Sequence, residues 1–134
     1  MTSSAPGPLV LIVDDNERNL KLASDVLKAA GFRTLAAVDG AGALALAKEE
    51  IPDLVLLDLR LPDLDGADVA RALARGARTR DIPVVALSAL PDKGEPAPCF
   101  AGYVEKPISV AAFPEQVRAY CRGASTPPTS KRPG

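Results

Sequence analysis

The stretch Pro52-Asp-Leu-Val-Leu-Leu-Asp58-Leu-Arg-Leu-Pro-Asp-Leu-Asp-Gly66 sets a carboxylate directly after four apolar residues and follows it with a Pro- and Gly-bearing turn. An unbroken apolar run such as Leu54–Leu57 reads as a strand covered on both faces, the pattern of a parallel sheet. Burying Asp58 beside it is expensive without a partner. Four further runs surround it: Leu9–Val13, Arg33–Val38, Val84–Leu87 and Gly102–Val104. The stretches between them have helical spacing. Asn16–Ala30 aligns Leu20, Ala23, Leu27 and Ala30 and stops at Gly31, a suitable residue just past a helix end. Gly40–Glu50 carries Leu44 and Ala47 inward and ends before Pro52. Gly66–Arg75 turns Val69, Ala72 and Leu73 inward, with Arg71 and Arg75 outward. Ser109–Cys121 opens on Ser109 as N-cap and carries Val110, Phe113, Val117 and Tyr120. This alternation predicts an α/β fold, a doubly wound parallel sheet with right-handed crossovers. Pro91, Pro96 and Pro98 lie between the fourth and fifth runs, and proline forfeits backbone bonds inside a helix, so a loop or single turn is expected there.

A length of 134 residues fits one domain with short tails. The Ser/Pro/Gly-rich residues 1–8 and the tail 123–134 cannot bury enough surface to offset ordering and are expected to be disordered, leaving a body of residues 9–122. Sixteen basic against seventeen acidic residues give a net charge of −1, which removes the whole-domain footprint of a nucleic-acid binder. With 4% aromatics and no Trp, base-stacking platforms are not expected. The chain has no His, so imidazole-based nucleophile systems and His zinc sites are excluded. Cys99 and Cys121 lack CxxC spacing and read as reduced thiols, a single disulfide being the minor alternative. Leu9–Val13 is far short of a membrane span, and the first residues lack a signal-peptide pattern. A cytoplasmic protein without membrane contact is expected.

In doubly wound sheets, ligands sit beyond the carboxyl ends of the strands. Asp14-Asp15 follow the first run, Asp58 the third, Ser88 the fourth and Lys106-Pro107 the fifth. Singly, each has an ordinary explanation: Asp14 or Asp15 serves about as often as a helix N-cap, Ser88 as a turn residue, Lys106 as a solvated charge. Together they bring three carboxylates, a hydroxyl and an ammonium to one rim. Clustered carboxylates repel unless a cation sits among them, and Mg²⁺ takes one or two carboxylates together with phosphate oxygens.

This constellation, in this order, resembles the response-regulator receiver domain of the CheY-like superfamily. The matching segments are Leu11-Ile-Val-Asp-Asp15, the stretch from Pro52 to Gly66, Pro83-Val-Val-Ala-Leu-Ser-Ala89 and Tyr103-Val-Glu-Lys-Pro107. The opening Asp15-Asn-Glu-Arg-Asn-Leu-Lys-Leu22 is most similar to stand-alone receivers of the DivK cell-cycle type. The resemblance implies a flavodoxin-like, five-stranded sheet of order 2-1-3-4-5 and a phosphorelay signalling role rather than an enzyme's. It implies Asp58 as phosphoacceptor, with Mg²⁺ held by Asp15, Asp58 and the Arg60 backbone carbonyl, and by Asp14 mainly through water. Ser88 and Lys106 would bind phosphoryl oxygens, Ala89 would leave room for the group, and Tyr103 would be the switch aromatic. A cis Lys106-Pro107 bond is expected from the same likeness. Arg60 and Leu90 would flank the phosphoryl group, and its loss is expected to be slow. The partners implied are a histidine kinase or histidine phosphotransfer protein and a downstream effector protein, the chain itself being a monomer or weak homodimer.

Lys106 lies 18 positions after Ser88, a shorter distance than is usual in the family, so the fourth helix is expected to be shortened or replaced by a loop. With no further module after residue 122, output is expected through protein contacts, without direct nucleic-acid binding. The rival readings are a receiver-fold scaffold or adaptor that acts without phosphorylation, and an aspartyl-phosphate hydrolase of the haloacid-dehalogenase kind. The hydrolase would want an acid two residues after its nucleophile, where this chain has Arg60. Neither GxxxxGK nor GxGxxG occurs, so nucleotide binding is poorly supported.

Overall fold

The computed structural model of the chain describes residues 7–59, 61, 63, 66–88, 100–105 and 108–121. Along β3 (Leu54–Asp58) successive side chains point to opposite faces, so Leu54 and Leu56 feed one core while Val55 and Leu57 feed the other. The same division runs through β1 (Leu9–Val13) and β4 (Val84–Ser88). With β2 (Arg33–Ala37) and β5 (Gly102–Glu105) they form a parallel sheet of order β2-β1-β3-β4-β5. The first core packs α1 (Glu17–Ala29) and α4 (Phe113–Tyr120) on one face through Leu20, Leu27, Phe113 and Val117. The second packs α2 (Gly40–Glu50) and α3 (Gly66–Arg75) on the other through Ala43, Ala47, Val69 and Leu73. This is the flavodoxin-like, doubly wound arrangement. The crossover between β4 and β5, where a shortened helix or loop is expected, falls on residues 89–99, outside the described residues, as do residues 1–6 and the tail 123–134. Gly7 and Pro8, expected in the disordered N-terminal tail, are instead held at the sheet, their carbonyls accepting from the Arg33 side chain and amide, each at 2.9 Å.

Helices α1 and α2 are bounded by local signals. Asn16 caps α1 by accepting from the amides of Arg18 and Asn19 at 2.9 and 3.2 Å. At the other end Gly31, with φ 98°, lets the amides of Gly31 and Phe32 return to the carbonyls of Lys28 and Leu27, a Schellman closure. Phe32 then packs in the same core as Leu27. Arg118 fastens α4 to this corner, its guanidinium 4.8 Å above the Phe32 ring and donating to the Ala30 carbonyl. α2 stops at Ile51, held at φ 46°, one residue before Pro52.

Four details differ from the sequence reading. Ser109 caps a single turn that leads into α4: its hydroxyl accepts from the Ala112 amide, and its carbonyl accepts from the amides of Ala112 and Phe113. The helix starts one turn later, at Phe113, with Pro114 in its first turn, where a missing N–H leaves nothing unpaired. Val110 therefore stays outside the helix and exposed. The inward stripe of α2 centres on Ala43 and Ala47, with Leu44 only half-buried, and that of α3 runs through Ala70 rather than Ala72. β2 ends at Ala37, leaving Val38 exposed. Among the described residues no helix is long and apolar enough to cross a membrane.

Candidate functional site

Asp14 follows the last residue of β1. Its amide still donates to the Ala37 carbonyl at 3.1 Å, so the sheet ladder holds its backbone in place. Its carboxylate accepts from the Asn16 amide at 2.9 Å, a short turn that folds the chain back over the rim. Only 1% of Asp14 is exposed, whereas Asp15 lies open to solvent. The helix-cap explanation of this acidic pair does not hold, because Asn16 does the capping of α1.

Asp58 is the last residue of β3, opposite Leu87 of β4, and 8% exposed. Sheet topology sets β1 beside β3, so the chain returns Asp14, Asp15 and Asp58 to one spot although Asp58 lies 43 positions after Asp15 in sequence. One carboxylate oxygen from each lies within 4.8 Å of the others. Three hard, anionic oxygens at this spacing repel one another and match the donor preference of a hard divalent cation. The cluster fits both a magnesium site and a phosphorylation site.

The main chain next to Asp58 is tightly fixed. The Leu59 amide donates to the Leu87 carbonyl, and the Gly66 amide donates to the Leu59 carbonyl at 3.1 Å, closing the loop that leaves β3 at its neck. A side chain at position 66 would come within 2.8 Å of the Asp58 carbonyl oxygen and the Leu59 Cα. Glycine is therefore required at this close approach. The loop's far side is also held: Asp63 accepts from the amides of Gly40 and Ala41, at 2.8 and 3.1 Å, at the start of α2.

Among the other residues singled out from sequence, Ser88 ends β4 and its backbone pairs with Glu105, while the Tyr103 backbone pairs with Ala86. Arg60, Ala89, Leu90, Lys106 and Pro107 lie outside the described residues, as does Cys99. Cys121 is a free, buried thiol. Burial, with the nearby Asp53 charge adding and Arg118 opposing, pushes it up from 9.0 to about 11. Sequence reasoning missed Asp63, whose partners lie 23 and 22 residues away and leave no local signal. It also missed Asp39, which caps α2 through the Gly42 amide, although an Asp just before a helical run is itself a recognisable cap signal.

Comparison with known proteins agrees with this geometry. The chain matches the response regulator receiver domain over residues 10–118. It is 41% identical, over 115 residues, to the polar-differentiation response regulator DivK of Brucella ovis, covering 83% of this chain and 94% of that protein. The Brucella abortus DivK (strain 2308) matches to the same extent. Among solved structures, the chemotaxis response regulator CheY4 of Vibrio cholerae superposes with a TM-score of 0.79 at 24% identity, over 85% of this chain and 98% of that one. The receiver domain of the sensor histidine kinase PA1611 from Pseudomonas aeruginosa PAO1, with a magnesium ion coordinated in its active-site cleft, gives 0.78 at 29% identity over 85% and 97%. Fold, length of match and relatedness converge: the chain belongs to the response regulator receiver domain family and receives signals in a two-component phosphorelay.

Proposed function

We propose that the chain is a phosphorelay receiver whose phosphoacceptor is Asp58, loaded by a histidine kinase or histidine phosphotransfer protein in the cytoplasm. The observation that carries this is the gathering of Asp14, Asp15 and Asp58 at one strand rim. A carboxylate oxygen of Asp58 attacks the phosphorus of a phosphohistidine. The new O–P bond forms as the N–P bond breaks, and the imidazole nitrogen leaves with the electron pair and takes up a proton. Asp14, Asp15, Asp58 and the Arg60 carbonyl would hold Mg²⁺, which offsets charge on the transferring oxygens when bound. The remaining roles rest on likeness to the family: Lys106 pairs with a phosphoryl oxygen, Ser88 donates to another, and Ala89 keeps the space open. The chain does no further chemistry beyond slow loss of the phosphoryl group.

Output follows from a local change. The Ser88 hydroxyl is drawn toward the phosphoryl group and Tyr103 turns inward, biasing a two-state surface read by an effector protein. A differential of ~3 kcal/mol between the states shifts their ratio more than a hundredfold. The receiver unit, residues 9–122, acts as a monomer or weak homodimer without contacting nucleic acid. A scaffold indifferent to phosphorylation has no use for three crowded carboxylates and is not favoured. The test is incubation with acetyl phosphate and Mg²⁺, followed by separation of the phosphorylated form on a phosphate-affinity gel. Wild type should shift and Asp58→Ala should not; a wild-type chain that never shifts would overturn the assignment.

A further inference from the structure

Arg71, Arg75, Arg78 and Arg80 lie along the end of α3 and the turn after it, and all are exposed. Two of them have ordinary uses. Arg71 is tied to Asp68 on the same helix, and Arg75, in the last turn, complements the helix dipole. Arg78 and Arg80 lie beyond the helix end, where the dipole asks for no charge. Among the described residues, none of Arg75, Arg78 and Arg80 has an ion-pair partner.

The turn that carries them is fixed from inside. Thr79 is buried between Arg78 and Arg80, and its hydroxyl donates to the Leu73 carbonyl at 2.6 Å. The Thr79 and Arg80 amides both return to the Gly76 carbonyl, at 3.3 and 2.9 Å, and the Ile82 amide donates to the Thr79 carbonyl at 3.0 Å. Ile82 then joins the same core cluster as Leu73. Arg78 and Arg80 thus flank a buried anchor, on backbone with little freedom left to lose on binding. Guanidinium groups grip carboxylates through two parallel bonds, which an ammonium does not, and residues 71–80 contain no lysine.

The patch is short and fenced. Asp68 and Asp81 flank it in sequence, and Glu49 and Glu50 are exposed at the end of α2, which packs on the same core as α3. A long polyanion such as a nucleic acid would run into these carboxylates, and residues 66–88 offer no aromatic side chain for a base to stack on. A short run of Asp and Glu fits between them. The five residues of β4 carry the chain from this turn to the rim that holds Asp58. At a strand's usual rise that is about 15 Å, more than the ~8 Å over which exposed charges act at physiological salt. We propose that the outer face of the α3 end, with Arg75, Arg78 and Arg80 at its centre, docks an acidic segment of a partner protein, whether or not Asp58 carries a phosphoryl group. The surface belongs to the helix layer, outside the sheet edges, and its existence does not depend on the reading of the acidic rim.

The experiment is fluorescence anisotropy of a labelled octapeptide of alternating Asp and Glu titrated with the full chain. A Ser-Gly octapeptide and a short DNA duplex serve as comparators, and circular dichroism checks the fold of each variant. Wild type should bind the acidic peptide and not the Ser-Gly one, at least about tenfold more weakly when sodium chloride rises from about 50 to about 500 mM. Replacing Arg75, Arg78 and Arg80 together by Ser should weaken binding at least about tenfold, and replacing them by Lys, which keeps the charge but not the fork, about threefold. Arg18→Ser, Lys21→Ser and Lys28→Ser together remove the same charge from the exposed side of α1 and should stay within about twofold of wild type. Prior treatment with acetyl phosphate and Mg²⁺ should leave the affinity within about twofold as well. No binding by wild type, an equal loss in the α1 variant, tighter binding of the duplex than of the peptide, or a tenfold change on phosphorylation would each overturn the proposal. A chain that binds the peptide yet never takes up phosphate would overturn the receiver reading and leave this docking face standing.

Discussion

At the amino ends of the strands, Asp53 stands just before β3 and faces the start of β1. Its carboxylate accepts from the Leu9 amide at 2.8 Å while its own amide donates to the Leu9 carbonyl at 2.7 Å. At the carboxyl ends, Asp14, Asp15 and Asp58 crowd within 4.8 Å. The residue type is the same at both rims, yet its use is opposite. At the amino rim one carboxylate is matched to one backbone donor and staples two strands. At the carboxyl rim three are gathered more closely than their charges favour, which stability alone does not require. One end of the sheet is built to hold the fold and the other to bind.

The largest expected effect concerns the binding rim. Asp58→Asn should abolish phosphorylation by acetyl phosphate, read on a phosphate-affinity gel, while the chain stays folded by circular dichroism. Its removal of one of three like charges should leave the melting temperature unchanged or raise it. A phosphorylated Asp58→Asn chain would place the acceptor elsewhere.

Next in size is stabilisation by the cation. Saturating Mg²⁺ at a hundredfold excess over its Kd should add about 2.7 kcal/mol to the unfolding free energy by linkage. Asp15→Asn should lose most of that increment in urea titrations with and without Mg²⁺. Asp53→Ala at the opposite rim should keep the whole increment. It should cost the fold about 1–2 kcal/mol with or without the metal, because the Leu9 amide loses its acceptor. If Asp53→Ala reduced the Mg²⁺ increment as far as Asp15→Asn does, the division of labour between the rims would fail.

The smallest effect is a pH dependence that Asp53 shares in. Cys121 is pushed up to about 11, chiefly by burial and further by the Asp53 charge. The folded state thus holds the thiol proton more tightly than the unfolded chain does. The associated stability is fully present below pH 9 and is lost as pH rises from 9 toward 11. Cys121→Ser, with no titration there, should show a shallower decline than wild type over that interval in denaturant titrations. Equal slopes for the two chains would mean the thiol is not protected.

The sequence already showed the strands, because a residue run buried on both faces must be apolar throughout, as in Val10–Val13 and Leu54–Leu57. It also pointed to the acidic rim, since the Asp14-Asp15 pair and Asp58 each follow such a run immediately. Less visible were features set by tertiary geometry. Ser109 does cap the entry to the last helix, but a single turn separates it from Phe113, where regular α4 begins, and the sequence does not mark that turn. Ala70 and Ala72 are equally apolar, and which faces the sheet depends on how α3 is rotated against it. Asp63 carries no local pattern at all, because its partners belong to another helix start. Short-range periodicity records burial, but not which distant backbone amide a surface carboxylate will find.

One feature of the α2–β3 connection limits how this domain can change. Ile51 occupies the left-handed region, a conformation that costs a β-branched residue about 1–2 kcal/mol, and the buried Pro52 follows it. Helix and strand are thereby joined by a short, fixed link: Ile51 and Pro52 end α2, and the Asp53 amide already bonds to the Leu9 carbonyl as β3 begins. Since neighbouring strand positions face opposite ways, a single-residue insertion carried from this junction into β3 would turn its whole hydrophobic set over. Lineages of this domain should therefore accept substitutions here far more readily than insertions or deletions, and length variation should accumulate in other connections.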